Sequence, residues 1–262
     1  MMRIENGTVV GHDAMGPDYR VLTLKLPEVA PLAKPGQFIH LRLAQLHDAV
    51  LRRPFSIYRA DGNHLSILYK TVGRGTASMQ NLRLNDTASV VGPLGNGFPL
   101  DLASSVTPVL IAGGYGVAPL YFLARKMTRR GILFIGGAKA ADILLADEFR
   151  ALGWEVQVAT DDGSLGVKGL VTLALDAWLQ ALVPNAQPEF FACGPNGMLK
   201  AVGDRAISGN RKAWLSLDRH MGCGVGACLA CVQKVRLSGQ ETLARVCKDG
   251  PIFEARDVIW ED

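Results

Sequence analysis

Residues 92–97 read Gly92-Pro93-Leu94-Gly95-Asn96-Gly97, and the chain changes character across them. Three glycines and a proline within six residues cannot extend a regular element far, so this segment reads as the boundary between two folding units. On its N-terminal side the pattern has period two. Arg20–Leu26 (RVLTLKL), Phe38–Leu43 (FIHLRL) and Leu65–Lys70 (LSILYK) alternate apolar and polar residues, with turns at Pro35-Gly36 and Asp61-Gly62-Asn63 between them. Short strands at this spacing predict an antiparallel β-barrel.

On the C-terminal side, strands alternate with helices. Val106–Ala112 is an unbroken apolar strand, and Pro119–Arg130 has helical spacing with a basic end. Ile132–Ile135, Glu155–Thr160 and Phe190–Ala192 read as further strands, Val171–Leu182 and Gly197–Ile207 as helices. Such alternation predicts a parallel sheet covered by helices. From about Trp214 the chain is rich in glycine and cysteine, with short strands expected at Val232–Leu237 and Val258–Trp260. The expected organisation is therefore an α+β multidomain protein: a barrel over 1–100, an α/β nucleotide domain over 101–213 and a small module over 214–262.

Composition removes several function classes. Of 262 residues, 48% are hydrophobic and 20% charged, the balance of a packed globular chain rather than a disordered one. A net charge of +4, evenly spread, argues against nucleic acid or an anionic membrane as partner. No run approaches the ~18–20 apolar residues of a membrane span, and Glu5 and Asn6 interrupt the start before any signal-peptide core. A soluble, cytoplasmic protein is expected.

Four of the five cysteines, Cys223, Cys228, Cys231 and Cys247, lie within 25 residues. Their spacing is C-x4-C-x2-C followed by a distant fourth, which is the plant-type [2Fe–2S] pattern. Gly222, Gly224, Gly226 and Ala227 keep bulk away from the ions and let amide N–H groups turn toward sulfur. A zinc site of four cysteines usually carries two C-x2-C pairs, and only one is present. Cys193, in Phe190–Pro195, is either an inert buried thiol or a residue beside a ligand at a strand's carboxyl end.

Two further segments suit phosphate. Leu110–Pro119 places Gly113, Gly114 and Gly116 between an apolar strand and a helix, where amides and a helix N-terminus attract a dinucleotide. The third fingerprint glycine is absent. An acidic residue for the ribose, expected ~20 residues on, is missing until Asp142, and Lys139 could favour a 2′-phosphate, so NAD and NADP both stay open. Thr160–Gly163 is a second possible contact, or simply a turn. In the barrel, Arg53 could pair with a diphosphate, Ser56 could bond a flavin ring, and Gly75-Thr76 could hold phosphate. Standing alone, these would be an ordinary strand and turn.

Taken in order, Arg53-Pro54-Phe55-Ser56, Gly73-Arg74-Gly75-Thr76, Gly92–Gly95 and Cys193-Gly194-Pro195 resemble the ferredoxin–NADP⁺ reductase superfamily. Arg245–Pro251 and the cysteine spacing narrow the likeness to electron-transfer subunits of class 1B dihydroorotate dehydrogenases, over essentially the whole chain. That resemblance implies FAD contacts from Arg53, Pro54, Phe55, Ser56, Leu68, Tyr69, Lys70, Gly75 and Thr76. It implies nicotinamide dinucleotide at Gly113, Gly114, Gly116, Cys193 and Gly194, and a [2Fe–2S] cluster on the four cysteines. Tyr115 stands where a glycine is usual, and Lys70 where arginine is common. The resemblance further implies an FMN-containing catalytic subunit as partner, two of each in a heterotetramer. That partner would oxidise dihydroorotate, and its electrons would run through cluster and FAD to NAD⁺ in pyrimidine (UMP) synthesis. No acid–base pair or nucleophile is expected here. Sister reductase subunits of sulfide dehydrogenase, hydrogenase or NADPH–ferredoxin type, and a self-contained oxygenase reductase, are the alternatives.

One measurement separates iron from zinc. Anaerobically purified protein is expected to be coloured and to contain iron and acid-labile sulfide; a colourless zinc protein would contradict the reading of the cysteines.

Overall fold

The computed structural model describes residues 2–43, 51–183 and 186–260. Strands β1 (Arg3–Ala14), β2 (Tyr19–Lys25), β3 (Phe38–Leu43), β4 (Arg53–Asp61), β5 (His64–Lys70) and β6 (Thr87–Leu94) close a barrel in the order β1-β2-β5-β4-β3-β6. Every pairing in it is antiparallel. Helix α1 (Arg74–Met79) follows β5. Alternation sets the two faces. Ile39, Leu41, Ile57, Leu65, Ile67 and Tyr69 fill the barrel, while Phe38, Tyr58, Leu68 and Tyr19 pack outward against the rest of the molecule.

The second sheet follows the apolar strands of the α/β half. It comprises β7 (Val106–Gly113), β8 (Ile132–Gly137), β9 (Glu155–Thr160), β10 (Val167–Lys168), β11 (Gln187–Cys193) and β12 (Ala213–Ser216), all parallel. Helices α2 (Val117–Lys126), α3 (Ala146–Ala151), α4 (Val171–Gln180) and α5 (Asn196–Ser208) connect them. In the C-terminal module, β13 (Val232–Leu237) and β14 (Gln240–Arg245) form a hairpin and α6 (Val246–Asp249) follows. Then β15 (Ile252–Glu254) pairs antiparallel with β12, giving the sheet its seventh strand in the order β10-β9-β8-β7-β11-β12-β15.

Several expectations shift. Strand β6 runs through Gly92 and Pro93 to Leu94, so the chain turns only at Gly95, whose φ is +73°. Helix α2 ends at Lys126, because Met127 is already extended at its C-cap. Val258–Trp260 is no strand: Val258 makes one isolated bridge to Val235, and the main chain then passes on. Neither β1 nor β15 was expected; β1 is interrupted by Gly7 and Gly11, and β15 is only three residues long.

The units are joined by apolar and polar contacts. Phe122 of α2 is fully buried in the barrel's cluster, and Tyr121 stacks on Tyr58 of β4 at 5.1 Å. Burial of a side chain of Phe122's size contributes about 1.5–3 kcal/mol. Asp142, the first carboxylate after the glycine turn, is buried between the domains. It accepts a 2.6 Å bond from the Tyr19 hydroxyl and pairs with Lys70 at 3.2 Å. The Tyr19 bond holds the Asp142 carboxyl below the usual range; burial opposes this and Lys70 reinforces it.

A depressed carboxyl pKa stabilises the fold above the unfolded value and loses that contribution as pH falls through the folded one. D142N is therefore expected to cost about 1–2 kcal/mol at pH 7, a drop in Tm of roughly 3–6 °C. The gap between variant and native Tm should close as pH is lowered below about 4; a gap independent of pH would remove the ionised carboxylate from the account.

Candidate functional site

The cysteines are arranged as two pairs. Cys223 Sγ accepts backbone N–H groups from Val225 (3.4 Å), Ala227 (3.2 Å) and Cys228 (3.4 Å), while the Cys223 amide points at Cys228 Sγ (3.4 Å). Cys247 turns its amide to Cys231 Sγ at 3.4 Å. Among the described residues, no three His, Cys, Asp or Glu side chains converge as ligands of one ion. Cys231 and Cys247 are buried, Cys223 is half-buried and Cys228 exposed, so the sulfurs run from core to surface.

Electrostatics follow the amides. Burial resists ionisation of Cys223, but the Val225, Cys228 and Ala227 amides and the Cys228 side chain outweigh it and bring the thiol down to about 6. Burial and the neighbouring Cys231 push Cys247 the other way. Arg245–Pro251 gives the fourth cysteine its place. Arg245 donates to both carboxylate oxygens of Asp249, at 2.8 and 2.9 Å, closing α6 around Cys247. Lys248 lies against Gly226, so this turn packs on the loop holding Cys223 and Cys228.

The barrel motifs meet as well. Arg53 lies over Gly75: a Cβ added there would come 2.8 Å from Arg53 Nε. Thr76 Oγ1 accepts the Val72 and Gly73 amides, at 2.9 and 3.1 Å, and so shapes the turn into α1. Pro54, Ser56, Leu68 and Lys70 occupy outward positions on β4 and β5. Tyr69 points inward, where its hydroxyl bonds His12 at 2.8 Å and its ring meets Phe55 edge-on. Of the nine residues expected around a flavin, the seven on β4 and β5 therefore divide between the two faces of the barrel wall, and Gly75 and Thr76 lie on α1.

Beside the sheet, the glycine turn packs on Cys193-Gly194-Pro195. A Cβ at Gly116 would stand 2.3 Å from the Cys193 carbonyl oxygen, and one at Gly113 2.7 Å from Pro195 Cδ. These two glycines serve the packing of one turn on the other. Gly114, with φ +53° and open space before it, is the glycine left free to meet a ligand. Gly194 faces Gly113 and Met198. Thr160 is buried and closes its own loop through Leu165, and Asp162 bonds Ser164, so Thr160–Gly163 forms a self-satisfied turn.

One residue near the cysteines was not singled out in the sequence. His40 of β3 is completely buried, its ring set against the backbone of Cys223. Burial first, then the charge of Arg52, lowers its pKa, against a smaller raising effect from the Cys223 backbone. In the sequence it is one of the two polar positions, with Arg42, in the alternation of the Phe38–Leu43 strand, and nothing else marks it.

Comparison with known proteins decides among the reductases. Residues 218–259 match the iron-sulfur cluster binding domain of dihydroorotate dehydrogenase B, and 110–204 match the oxidoreductase NAD-binding domain. The NADH-dependent reduced ferredoxin-NADP oxidoreductase structure, described for flavin-based electron bifurcation, superposes with TM-score 0.84 at 29% identity, covering 97% of this chain and 90% of that one. The dihydroorotate dehydrogenase B (NAD(+)) electron transfer subunit of Bacillus caldolyticus is 43% identical over 248 residues, 91% of each chain. That of Geobacillus thermodenitrificans is 41% identical over 99% of this chain and 100% of its own. The chain belongs to the family of dihydroorotate dehydrogenase B electron transfer subunits. The ferredoxin reductase in carbazole 1,9a-dioxygenase, at 21% identity and TM-score 0.67, shares the fold over 80% of this chain. No helix of the described residues is long and apolar enough to cross a membrane.

For an electron transfer subunit, the state of Cys193 matters. Burial pushes its thiol up to about 12, Ser216 pulling it back and Asp218 adding to the rise. A protonated thiol is a poor nucleophile. Cys193 is therefore expected to resist iodoacetamide at pH 8 in the folded protein and to react after unfolding, as read by peptide mass mapping. Alkylation at the rate of a free thiol would contradict this environment.

Proposed function

We propose that this subunit carries a [2Fe–2S] cluster on Cys223, Cys228, Cys231 and Cys247, FAD on the outer wall of the barrel and NAD at the glycine turn. When bound, nicotinamide exchanges electrons in pairs, the cluster singly and a flavin either way, so the set links a one-electron carrier to a two-electron one. The observation carrying this reading is the division of the sulfurs into two amide-supported pairs, Cys223 with Cys228 and Cys231 with Cys247. A two-iron core takes four thiolates, and two pairs supply two per iron.

The residues present fit these groups. Amides aimed at Cys223 neutralise part of the charge that four thiolates would bring together. Arg53 over Gly75 offers a guanidinium beside backbone that has no side chain to obstruct a diphosphate. Pro54, Ser56, Leu68 and Lys70 would line the rest of the flavin site from the outward face, Phe55 and Tyr69 would back it from inside the barrel, and Thr76 would hold its turn. Lys70 keeps the positive charge of the usual arginine but spends it on Asp142, so its role toward a flavin runs through the interdomain bridge. At the nicotinamide, Gly114 gives open backbone, while Gly113, Gly116, Cys193 and Gly194 build the floor beneath it. With Asp142 occupied by Tyr19 and Lys70, the ribose must be recognised by other groups.

None of these residues forms an acid–base pair suited to abstracting protons from dihydroorotate. That step belongs to an FMN-containing catalytic subunit, two of each chain in a cytoplasmic heterotetramer, and this chain delivers the electrons to NAD⁺. The purified holo-subunit is accordingly expected to oxidise NADH with ferricyanide or a dye as acceptor, and to leave dihydroorotate untouched until the partner is added. Dihydroorotate turnover by the subunit alone would refute the division of labour.

A further inference from the structure

The cluster cysteines and the flavin strand are not separate neighbourhoods, and His40 lies where they meet. On β3, Ile39 and Leu41 point into the barrel, which turns Phe38 and His40 outward. Across the ladder, Phe38 pairs with Ser56 and His40 with Pro54, the two outward residues of the flavin motif. Cross-strand partners share a face, so the imidazole stands beside Pro54 and Ser56.

Its other side meets the cysteine loop. A Cβ built on Gly224 would come 2.6 Å from His40 Nδ1 and 2.9 Å from Cε1, which places the ring directly against the residue after Cys223. Gly224 has φ +71°, so the loop reaches this approach with the one residue that tolerates both the conformation and the crowding. The ring has no accessible surface, its edge meets Phe38 at 87° and 6.4 Å, and the polar group within its reach is the Cys223 backbone. A polar ring buried this completely and met by so few partners costs about 1–3 kcal/mol. A leucine or phenylalanine would avoid that cost if filling space were the only task.

We propose that His40 is a positioning residue for the iron–sulfur centre: its ring, set against the Cys223 backbone and Gly224, fixes the cysteine loop against the flavin strand, and its N–H dipole raises the cluster's reduction potential. This rests on the cofactor reading above. A neutral imidazole holds one N–H and one lone pair. A donor dipole held beside the Cys223 end of the loop favours the more negative, reduced cluster, and such surroundings are among the determinants of iron–sulfur potential. The proposal also accounts for the choice of strand, since the residue opposite Pro54 is the point of β3 from which one side chain can touch both sites.

The test uses the FAD- and iron-loaded subunit in an anaerobic redox titration, with the cluster followed by EPR and the flavin by visible absorbance. H40F keeps an aromatic ring and removes the donor; H40Q restores an N–H on a side chain of similar reach. The cluster potential of H40F is expected to move negative, with H40Q returning most of the shift and the FAD potential staying near that of the native protein. If H40F loses its iron while H40Q retains it, the same contact is supported. An iron-replete H40F with an unchanged cluster potential, a shift confined to FAD, or loss of iron from both variants would overturn the assignment. Native protein lacking iron and flavin would instead remove the cofactor reading on which it stands.

Discussion

The C-terminal module is too small to bury its own cysteines, and that shortage organises the molecule. A two-stranded hairpin has little independent stability in water, and α6 adds only one turn. The module therefore borrows. Cys231, Val235, Ala244, Val246, Cys247 and Phe253 share one apolar cluster with Phe38 and Leu94 of the barrel and with Ile111, Phe190 and Leu215 of the sheet. Gly95 is one point of close approach. The Gly250 carbonyl accepts the Asn96 amide there, and a Cβ on Gly95 would meet Pro251 at 2.6 Å. Because the module's core belongs to all three units, sulfur chemistry is held rigidly beside the barrel wall and the sheet's carboxyl edge at once.

Period and punctuation made much of this legible from residues alone. Strands such as Phe38–Leu43 carry a clean alternation, and the apolar runs at Val106 and Ile132 are too short for helices and too continuous for exposed strands. The cysteine spacing was readable because an iron-sulfur cluster binding domain imposes a fixed demand on a short loop. Elements decided by distant partners were hidden. Strand β15 has three residues and exists because β12 offers it an edge; β1 pairs with both β2 and β6 and so tolerates the glycines in its own sequence.

The site was readable by group but not by individual role. Glycines at 113, 114 and 116 all suggested phosphate, yet two are consumed by the approach of the Cys193 turn, a contact over 70 residues away in sequence. Asp142 is the sharpest case. It is the first carboxylate after the glycines, too late for the usual ribose position, and a tyrosine and a lysine from the barrel claim it. His40 carries no motif, and only the fold sets it between Pro54 and Gly224.

The antiparallel addition of β15 to β12 has a consequence for how the chain comes into being. Every other strand of that sheet is made before the last cysteine, whereas β15 follows Cys247 by five residues. Until that stretch has been synthesised, β12 is a bare ladder of unpaired amides and carbonyls, the kind of rim on which nascent chains stick to one another. The last cysteine and the sealing of this rim thus fall within the same few residues, so a chain ended before Ile252 would lose its protection against self-association along with the turn that packs Cys247.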